Sequence, residues 1–382
     1  TFPYLFFISL TALAGSILNS FGKFAIPAFT PVFLNLSLIG CAVWLSPQLE
    51  EPVTALAWGV FIGGVVQLLF QIPFLIKIGQ LPKPRWGWKD SGVQKILKLM
   101  LPAIFGVSVA QINLLLDTLL ASFLVTGSIS WLYYSDRLVE FPLGVFGIAL
   151  STVILPSLSK KHASKSMAEF SHTIDWALRW VFIIATPAAI GLIWLSEPLL
   201  LTLFQYGEFS ASDAHEASLS LMAYGLGLLP FIFIKVLAPG YYARQDIKTP
   251  VKIGIIAMIT NMVLNIILMM QYAHVGLALA TSLSALLNAG LLYIGLRKRG
   301  VYTPDSGWGT FILKLLAPNI LLIAALAWFT PDANTWIDGT AWQRFIMLSS
   351  LIVGAMALYF SVLPLVGIKV KQLLKPTLSI EN

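Results

Sequence analysis

Apolar runs of roughly span length alternate with short polar segments along almost the whole chain. A helix rises ~1.5 Å per residue and the hydrocarbon core of a bilayer is ~30 Å thick, so about 20 mostly apolar residues make one crossing. Breaking the runs at charge clusters, acidic patches and Pro/Gly turns predicts eleven membrane-spanning helices, at residues 3–20, 27–46, 54–76, 100–125, 129–155, 174–195, 217–243, 250–270, 274–296, 308–329 and 341–366. A further apolar piece, Pro198 to Tyr206, is too short to cross and is expected at the interface. The pattern predicts an all-α, polytopic membrane protein.

Charges in the connections give the orientation, because short cytoplasmic loops carry an excess of Lys and Arg. Alternate connections hold Lys23; Lys77, Lys83, Arg85, Lys89, Lys95 and Lys98; Lys160, Lys161, Lys165 and Arg179; Arg244, Lys248 and Lys252; Arg297, Lys298 and Arg299; and Lys369, Lys371 and Lys375 in the tail. That is all but four of the 24 basic residues. The opposite connections carry Glu50, Glu51, Glu208, Asp213, Glu216, Asp332 and Asp338. The basic set is therefore expected in the cytoplasm, with the C-terminus, in an inner membrane. Eleven crossings then put Thr1 outside with no initiator Met or signal peptide before it, so further N-terminal helices are expected to precede it.

Composition agrees: 58% of the 382 residues are hydrophobic and 11% charged, against about 25% charged in soluble domains. The net charge of +7 is scattered between apolar runs rather than gathered in a stripe, which argues against nucleic acid. The one cysteine, Cys41, lies inside an apolar run, giving neither a disulfide framework nor a zinc-ligand spacing. A turn echoes itself, Gly22-Lys23-Phe24-Ala25-Ile26-Pro27 against Gln245-Asp246-Ile247-Lys248-Thr249-Pro250. Each leads into a span holding Asn, Asn35 in the first and Asn261 and Asn265 in the second, as in repeat-built transporters.

The four remaining basic residues are Arg137, Lys235, Lys314 and Arg344. Lys314 and Arg344 sit near span ends and are expected to snorkel. Asp136, Arg137 and Glu140 lie within the fifth span, with Asp136 and Glu140 on one face and Arg137 between neighbouring faces. A central charge costs about 2.5–3.5 kcal/mol on insertion scales, so such groups face a bundle interior or a wet cavity. Arg137 is either an anion-binding group or half of an ion pair with Asp136 or Asp117. Asp117, Asn261, Asn265 and Thr281 offer the oxygens that hard cations take. The two Asn residues otherwise hydrogen-bond between helices, at about 0.6 kcal/mol per contact. Lys235 either faces a cavity or snorkels. Pro142, Pro187, Pro230 and Pro239 favour bends. His162, His172, His215 and His274 are dispersed, and no H-E-x-x-H, phosphate loop or G-x-S-x-G elbow occurs, which favours transport over catalysis.

The stretch Ser130-Trp131-Leu132-Tyr133-Tyr134-Ser135-Asp136-Arg137-Leu138-Val139-Glu140-Phe141-Pro142, followed by Leu155-Pro156-Ser157-Leu158-Ser159-Lys160, closely resembles the MurJ (MviN) lipid II flippase family. So do Leu203-Phe204-Gln205-Tyr206-Gly207, the segment from Ala238 to Pro250, and Thr1-Phe2-Pro3-Tyr4, which is similar to the start of the family's fourth helix. The resemblance implies helices four to fourteen of a fourteen-helix exporter fold. Residues 1–95 would then be three helices of an N-terminal lobe. Residues 96–300 would form a six-helix C-terminal lobe with a short interfacial segment, and residues 301–382 two extra helices and a cytoplasmic tail.

The resemblance also implies function. The family moves the undecaprenyl-pyrophosphate-linked disaccharide-pentapeptide, lipid II, across the inner membrane by alternating access, within membrane lipid and alongside cell-wall synthesis or division proteins. Arg137 matches one of its cavity arginines, and no covalent bond is made or broken; Asp136, Glu140 and Lys235, ionisable groups read from the spans themselves, are expected beside it in the substrate-binding set. In some members a sodium ion is held at positions matching Asp117, Asn261, Asn265 and Thr281. Here Asn265 stands where a carboxylate is expected, which leaves a proton or the membrane potential as other drives. Rival readings are an exporter of drugs or of another polyprenyl-linked glycan, a membrane glycosyltransferase, and a non-transporting scaffold.

Overall fold

The structure, a computed structural model, describes residues 2–82, 87 and 90–368, with the backbone alone for 99, 101–103 and 105–110. Of the basic set, Lys83, Arg85, Lys89, Lys369, Lys371 and Lys375 lie outside the described residues, and with them the tail.

All the regular structure among the described residues is helical: α1 (Tyr4–Ser20), α2 (Ala25–Phe29), α3 (Pro31–Gly40), α4 (Thr54–Lys77), α5 (Ser91–Ser122), α6 (Ser128–Pro142), α7 (Ala149–Ala163), α8 (Met167–Trp194), α9 (Ser196–Phe204), α10 (Ala211–Tyr242), α11 (Lys248–Lys298), α12 (Trp308–Phe329), α13 (Ala333–Asp338) and α14 (Ala341–Leu365). Two π-helical turns join these, Cys41–Leu45 after α3 and Leu143–Ile148 between α6 and α7. Among the described residues eight helical stretches are long and apolar enough to cross a bilayer. One of them, α11, breaks at Ala273 (φ 48°, ψ −130°) into two limbs. With α1 and α5, the eleven predicted runs are all helical.

Helix bounds depart from the sequence reading at polar first and last turns: α5 begins at Ser91 rather than near 100, and α7 runs to Ala163 rather than near 155. Helix α8 begins at Met167 rather than near 174, and α10 at Ala211 rather than near 217. In α10 a capping box sets the start: Ser210 accepts from the Asp213 backbone N–H at 3.2 Å, and the Asp213 carboxylate accepts from the Ser210 N–H at 2.9 Å. Hydropathy does not register such polar first turns.

The helix ends on the basic side share one closure. After α1, α4, α7, α10, α11 and α14 a residue with positive φ (Gly22, Gly79, Lys165, Gln245, Gly300 and Gly367) lets the next backbone N–H reach back five residues. This is the Schellman motif, which satisfies carbonyls the helix leaves open. The echoed turns match in it: Lys23 N–H donates to Leu18 O at 2.9 Å and Asp246 N–H to Tyr241 O at 3.1 Å.

The chain groups into two compact units, Thr1–Leu97 and Lys98–Asn382. In the first, α4 packs on α1 and α3 through glycines; a Cβ at Gly64 would meet the Tyr4 ring at 2.7 Å, and one at Gly63 the Leu34 side chain at 2.8 Å. Small residues at such crossings let backbones approach where lipid supplies no hydrophobic drive. In the second unit α10 is central, packed against α6, α7, α8, α9 and the second limb of α11, with Leu221, Leu228, Val236 and Tyr241 wholly buried. Helix α9, the short apolar piece, is anchored there by Leu200 and Leu201. Arg344 departs from the expectation that it snorkels. It is buried at 7% exposure and donates to Leu201 O (3.1 Å) and Ile337 O (2.8 Å), satisfying open carbonyls of α9 and α13.

Candidate functional site

Helix α6 has one pinned face and one open face. On the pinned face the Ser135 hydroxyl lies 2.6 Å from Ala217 O of α10, Val139 is buried, and Trp131 Nε1 donates to Asp213 Oδ1 at 2.8 Å. The 3.6-residue repeat then turns Tyr133, Arg137 and Glu140 outward. The Arg137 and Glu140 side chains are each 51% exposed, Nη1 lies 2.5 Å from Glu140 Oε2, and the guanidinium sits 4.9 Å over the Tyr133 ring. The alternative of an ion pair with Asp136 or Asp117 is not what forms, because the i, i+3 partner Glu140 is nearer on the open face. Asp136 is only partly exposed.

Lys235 is placed apart from Arg137. Its stem runs beside Gly147, where a Cβ would meet Lys235 Cγ at 3.6 Å. Gly147 follows Arg137 by ten positions of continuous helix, about 15 Å at the ordinary rise.

The second locus brings together residues from three helical passes. Asn261 and Asn265, one turn apart on the first limb of α11, are 2% and 0% exposed. The Asn265 amide donates to Asp117 Oδ1 at 2.5 Å and to Asn261 Oδ1 at 3.1 Å, and Asn261 donates to Thr281 Oγ1 on the second limb at 3.4 Å. All four predicted cation-ligand positions thus stand in one hydrogen-bonded chain. Asn113, which the sequence reading passed over, joins it by donating to Asp117 Oδ2 at 3.2 Å. Its signal was present, an amide one turn before Asp117 in the same apolar run.

The set suits a hard cation, because Asn265 Oδ1 and Asn113 Oδ1 are buried with no hydrogen-bond donor. A buried carbonyl oxygen left unpaired is costly, and a cation or water would meet its lone pairs. Among the described residues no group of three or more His, Cys, Asp or Glu could hold a metal, so the donors here are amide and hydroxyl oxygens with one carboxylate. A cavity of about 430 Å³ borders the cluster, with Asn113, Asn261, Thr281, Ser284 and Asn288 in its wall.

Comparison with known proteins places the chain as a whole. The family model "Lipid II flippase MurJ" matches residues 1–346. The "Probable lipid II flippase MurJ" of Vibrio cholerae is 56% identical over 98% of this chain and 71% of its own length. The protein of that name from Haemophilus influenzae is 52% identical over 98% of this chain and 74% of its own length. A solved structure described as "Lipid II flippase MurJ, inward closed conformation" superposes with a TM-score of 0.78 at 26% identity, over 95% of this chain and 72% of that one. The chain belongs to the lipid II flippase MurJ family.

Proposed function

We propose that the protein moves lipid II from the cytoplasmic to the periplasmic leaflet of the inner membrane by alternating access, its basic connections and C-terminus in the cytoplasm. The observation that carries this reading is the half-exposed Arg137 on a membrane-spanning helix whose other face is fixed to α10. A pyrophosphate in hydrocarbon is prohibitively costly, whereas a guanidinium in a wet cavity meets phosphate oxygens through planar, charge-assisted hydrogen bonds. Glu140 and Tyr133 hold that guanidinium in place before the headgroup arrives. Lys235, nearer the basic end, is in position to meet an anionic headgroup earlier on its way.

The same reading couples transport to a monovalent cation held by Asp117 with the oxygens of Asn265, Asn261, Thr281 and Asn113. One carboxylate is neutralised by one positive charge, and a neutral cluster is the form that hydrocarbon tolerates. The ion supplies charge compensation only; no covalent chemistry is involved.

Native mass spectrometry of the purified protein with lipid II, against an unrelated anionic phospholipid as competitor, tests the role of Arg137. Selective lipid II binding that weakens tenfold or more in Arg137→Ala supports it. Equal binding of both lipids, or undiminished selectivity in the variant, favours another exporter or a scaffold.

A further inference from the structure

The cavity beside the cation cluster extends away from it. From Asn261 and Thr281 its wall continues along α11 to Gly254 and Val251 on the first limb and to Ser284 and Asn288 on the second. Thr281, Ser284 and Asn288 follow an i, i+3, i+7 spacing that keeps them on one face. Asn261, Gly254 and Val251 descend the facing limb, and no atom lies within 4 Å of where a Gly254 Cβ would be. The distance from Thr281 to Asn288 is about 10 Å at the helical rise. The limbs then reach Lys248 on one side and Arg297 and Lys298 on the other, so this end of the cavity is the basic end.

Most of this wall, including Phe231, Ile234, Ile255 and Met258, is apolar and would stay dry by itself, but the hydroxyl and amide groups spaced a turn apart along it offer water the two to four partners it needs. The spacing also gives an ion leaving Asp117 successive neutral oxygens in place of its hydration shell. Among the described residues the cluster carries one carboxylate, so a divalent ion would leave a net charge in hydrocarbon and a monovalent ion would not.

We propose that this cavity is the route by which a monovalent cation passes between the basic end of the bundle and the Asp117–Asn265 cluster, with Ser284 and Asn288 as its relay positions. The proposal rests on the cation reading above and adds to it a route and a side of access.

The test is thiol accessibility in the whole protein, in a Cys41→Ala background, with Ser284→Cys and Asn288→Cys as reporters and the outward-facing Leu286→Cys, 57% exposed at Leu286, as a lipid-facing control. Inverted membrane vesicles are treated with impermeant thiosulfonates of similar size, one cationic and one anionic. The route requires both reporters to react, the cationic reagent to be at least tenfold faster than the anionic one, and sodium or Asp117→Asn to cut that preference to threefold or less. Unreactive reporters beside a folded protein, as judged by gel filtration, would mean a dry cavity and overturn the route. A charge-indifferent reaction, or faster reaction from the opposite side of the membrane, would overturn it as well. Sodium-dependent melting of the unsubstituted protein is followed separately. A charge preference lost on Asp117→Asn, with no effect of sodium on melting, keeps the route to the carboxylate and rejects the cation reading.

Discussion

Asn265, wholly buried, donates its side-chain amide to Asp117 at 2.5 Å across 148 positions of sequence. The bond offers the carboxylate a partner but does not cancel its charge, so a cation bound there stabilises the folded protein by mass action, about 2.7 kcal/mol at a hundredfold excess over Kd. Sodium, compared with choline at equal ionic strength, is expected to raise the apparent melting temperature of the detergent-solubilised protein, and Asp117→Asn to remove the effect. Asn265→Asp adds a second carboxylate against the first, so it is expected to lower the melting temperature without sodium and to enlarge the sodium shift. A sodium shift that survives Asp117→Asn would place the ion elsewhere.

Glu140 holds Arg137 in an exposed pair that competes with any anionic headgroup for the same guanidinium. Exposed pairs are worth about 0.2–1 kcal/mol, so releasing Arg137 should gain up to about fivefold in affinity. Glu140→Gln is therefore expected to strengthen lipid II binding modestly in the native mass-spectrometric titration. Weaker binding would show that holding the guanidinium in place, or direct contact of Glu140 with the headgroup, outweighs the competition.

Much of this arrangement was legible in the sequence. Apolar periodicity located the eleven helical runs because hydrocarbon demands length and apolarity, and both are local properties. The Asp117, Asn261, Asn265 and Thr281 set was found because each is polar at a depth where polarity is costly. What the sequence left hidden was set by partners distant along the chain. Arg344 read as a snorkelling terminal charge, yet it satisfies carbonyls of α9 and α13. Asp175 drew no reading from the sequence, yet it is 1% exposed and joins α8 to residues more than a hundred positions away. The choice of Glu140 over Asp136 for Arg137 depended on which face of α6 is pinned to α10, which spacing alone does not fix.

The turn after α10 contains a titrating element outside the spans. Hydrogen bonds from the Thr249 hydroxyl and from Arg299, with the Thr249 backbone N–H, hold the Asp246 carboxyl below the usual carboxylate range. A depressed carboxylate contributes stability that is present above its unfolded pKa, ~3.9 for Asp, and is lost as pH falls through the lower folded value. Acidification from pH 5 to pH 3, values chosen to bracket about that point, is thus expected to lower the melting temperature more in the unsubstituted protein than in Asp246→Asn. Parallel melting curves over that interval would remove Asp246 as a source of acid sensitivity.

Asp175 ties the start of the C-terminal helices to α8. Its carboxylate accepts from Trp308 Nε1 at 2.6 Å, Arg179 Nε at 2.8 Å, the Tyr302 hydroxyl at 2.8 Å and the Asp305 backbone N–H at 3.1 Å. Arg179 in turn lies over the Trp308 and Phe311 rings at 5.0 and 5.2 Å, so α8, the connection before α12 and the first turn of α12 close around one buried charge. Removing that charge deprives Arg179 of its ion-pair partner, leaving it the Ser306 carbonyl, and leaves the buried Tyr302 hydroxyl without its acceptor; deleting one partner of a buried pair costs about 3–5 kcal/mol. Asp175→Ala is expected to lower the apparent melting temperature sharply and to expose the connection at residues 301–307 to protease, whereas Asp175→Asn, which keeps an acceptor oxygen, should fall between. Because the contacts around Asp117 and Arg137 involve none of these residues, sodium-dependent stabilisation should persist in Asp175→Asn. Its loss there would mean that the cation cluster depends on how the C-terminal helices are held.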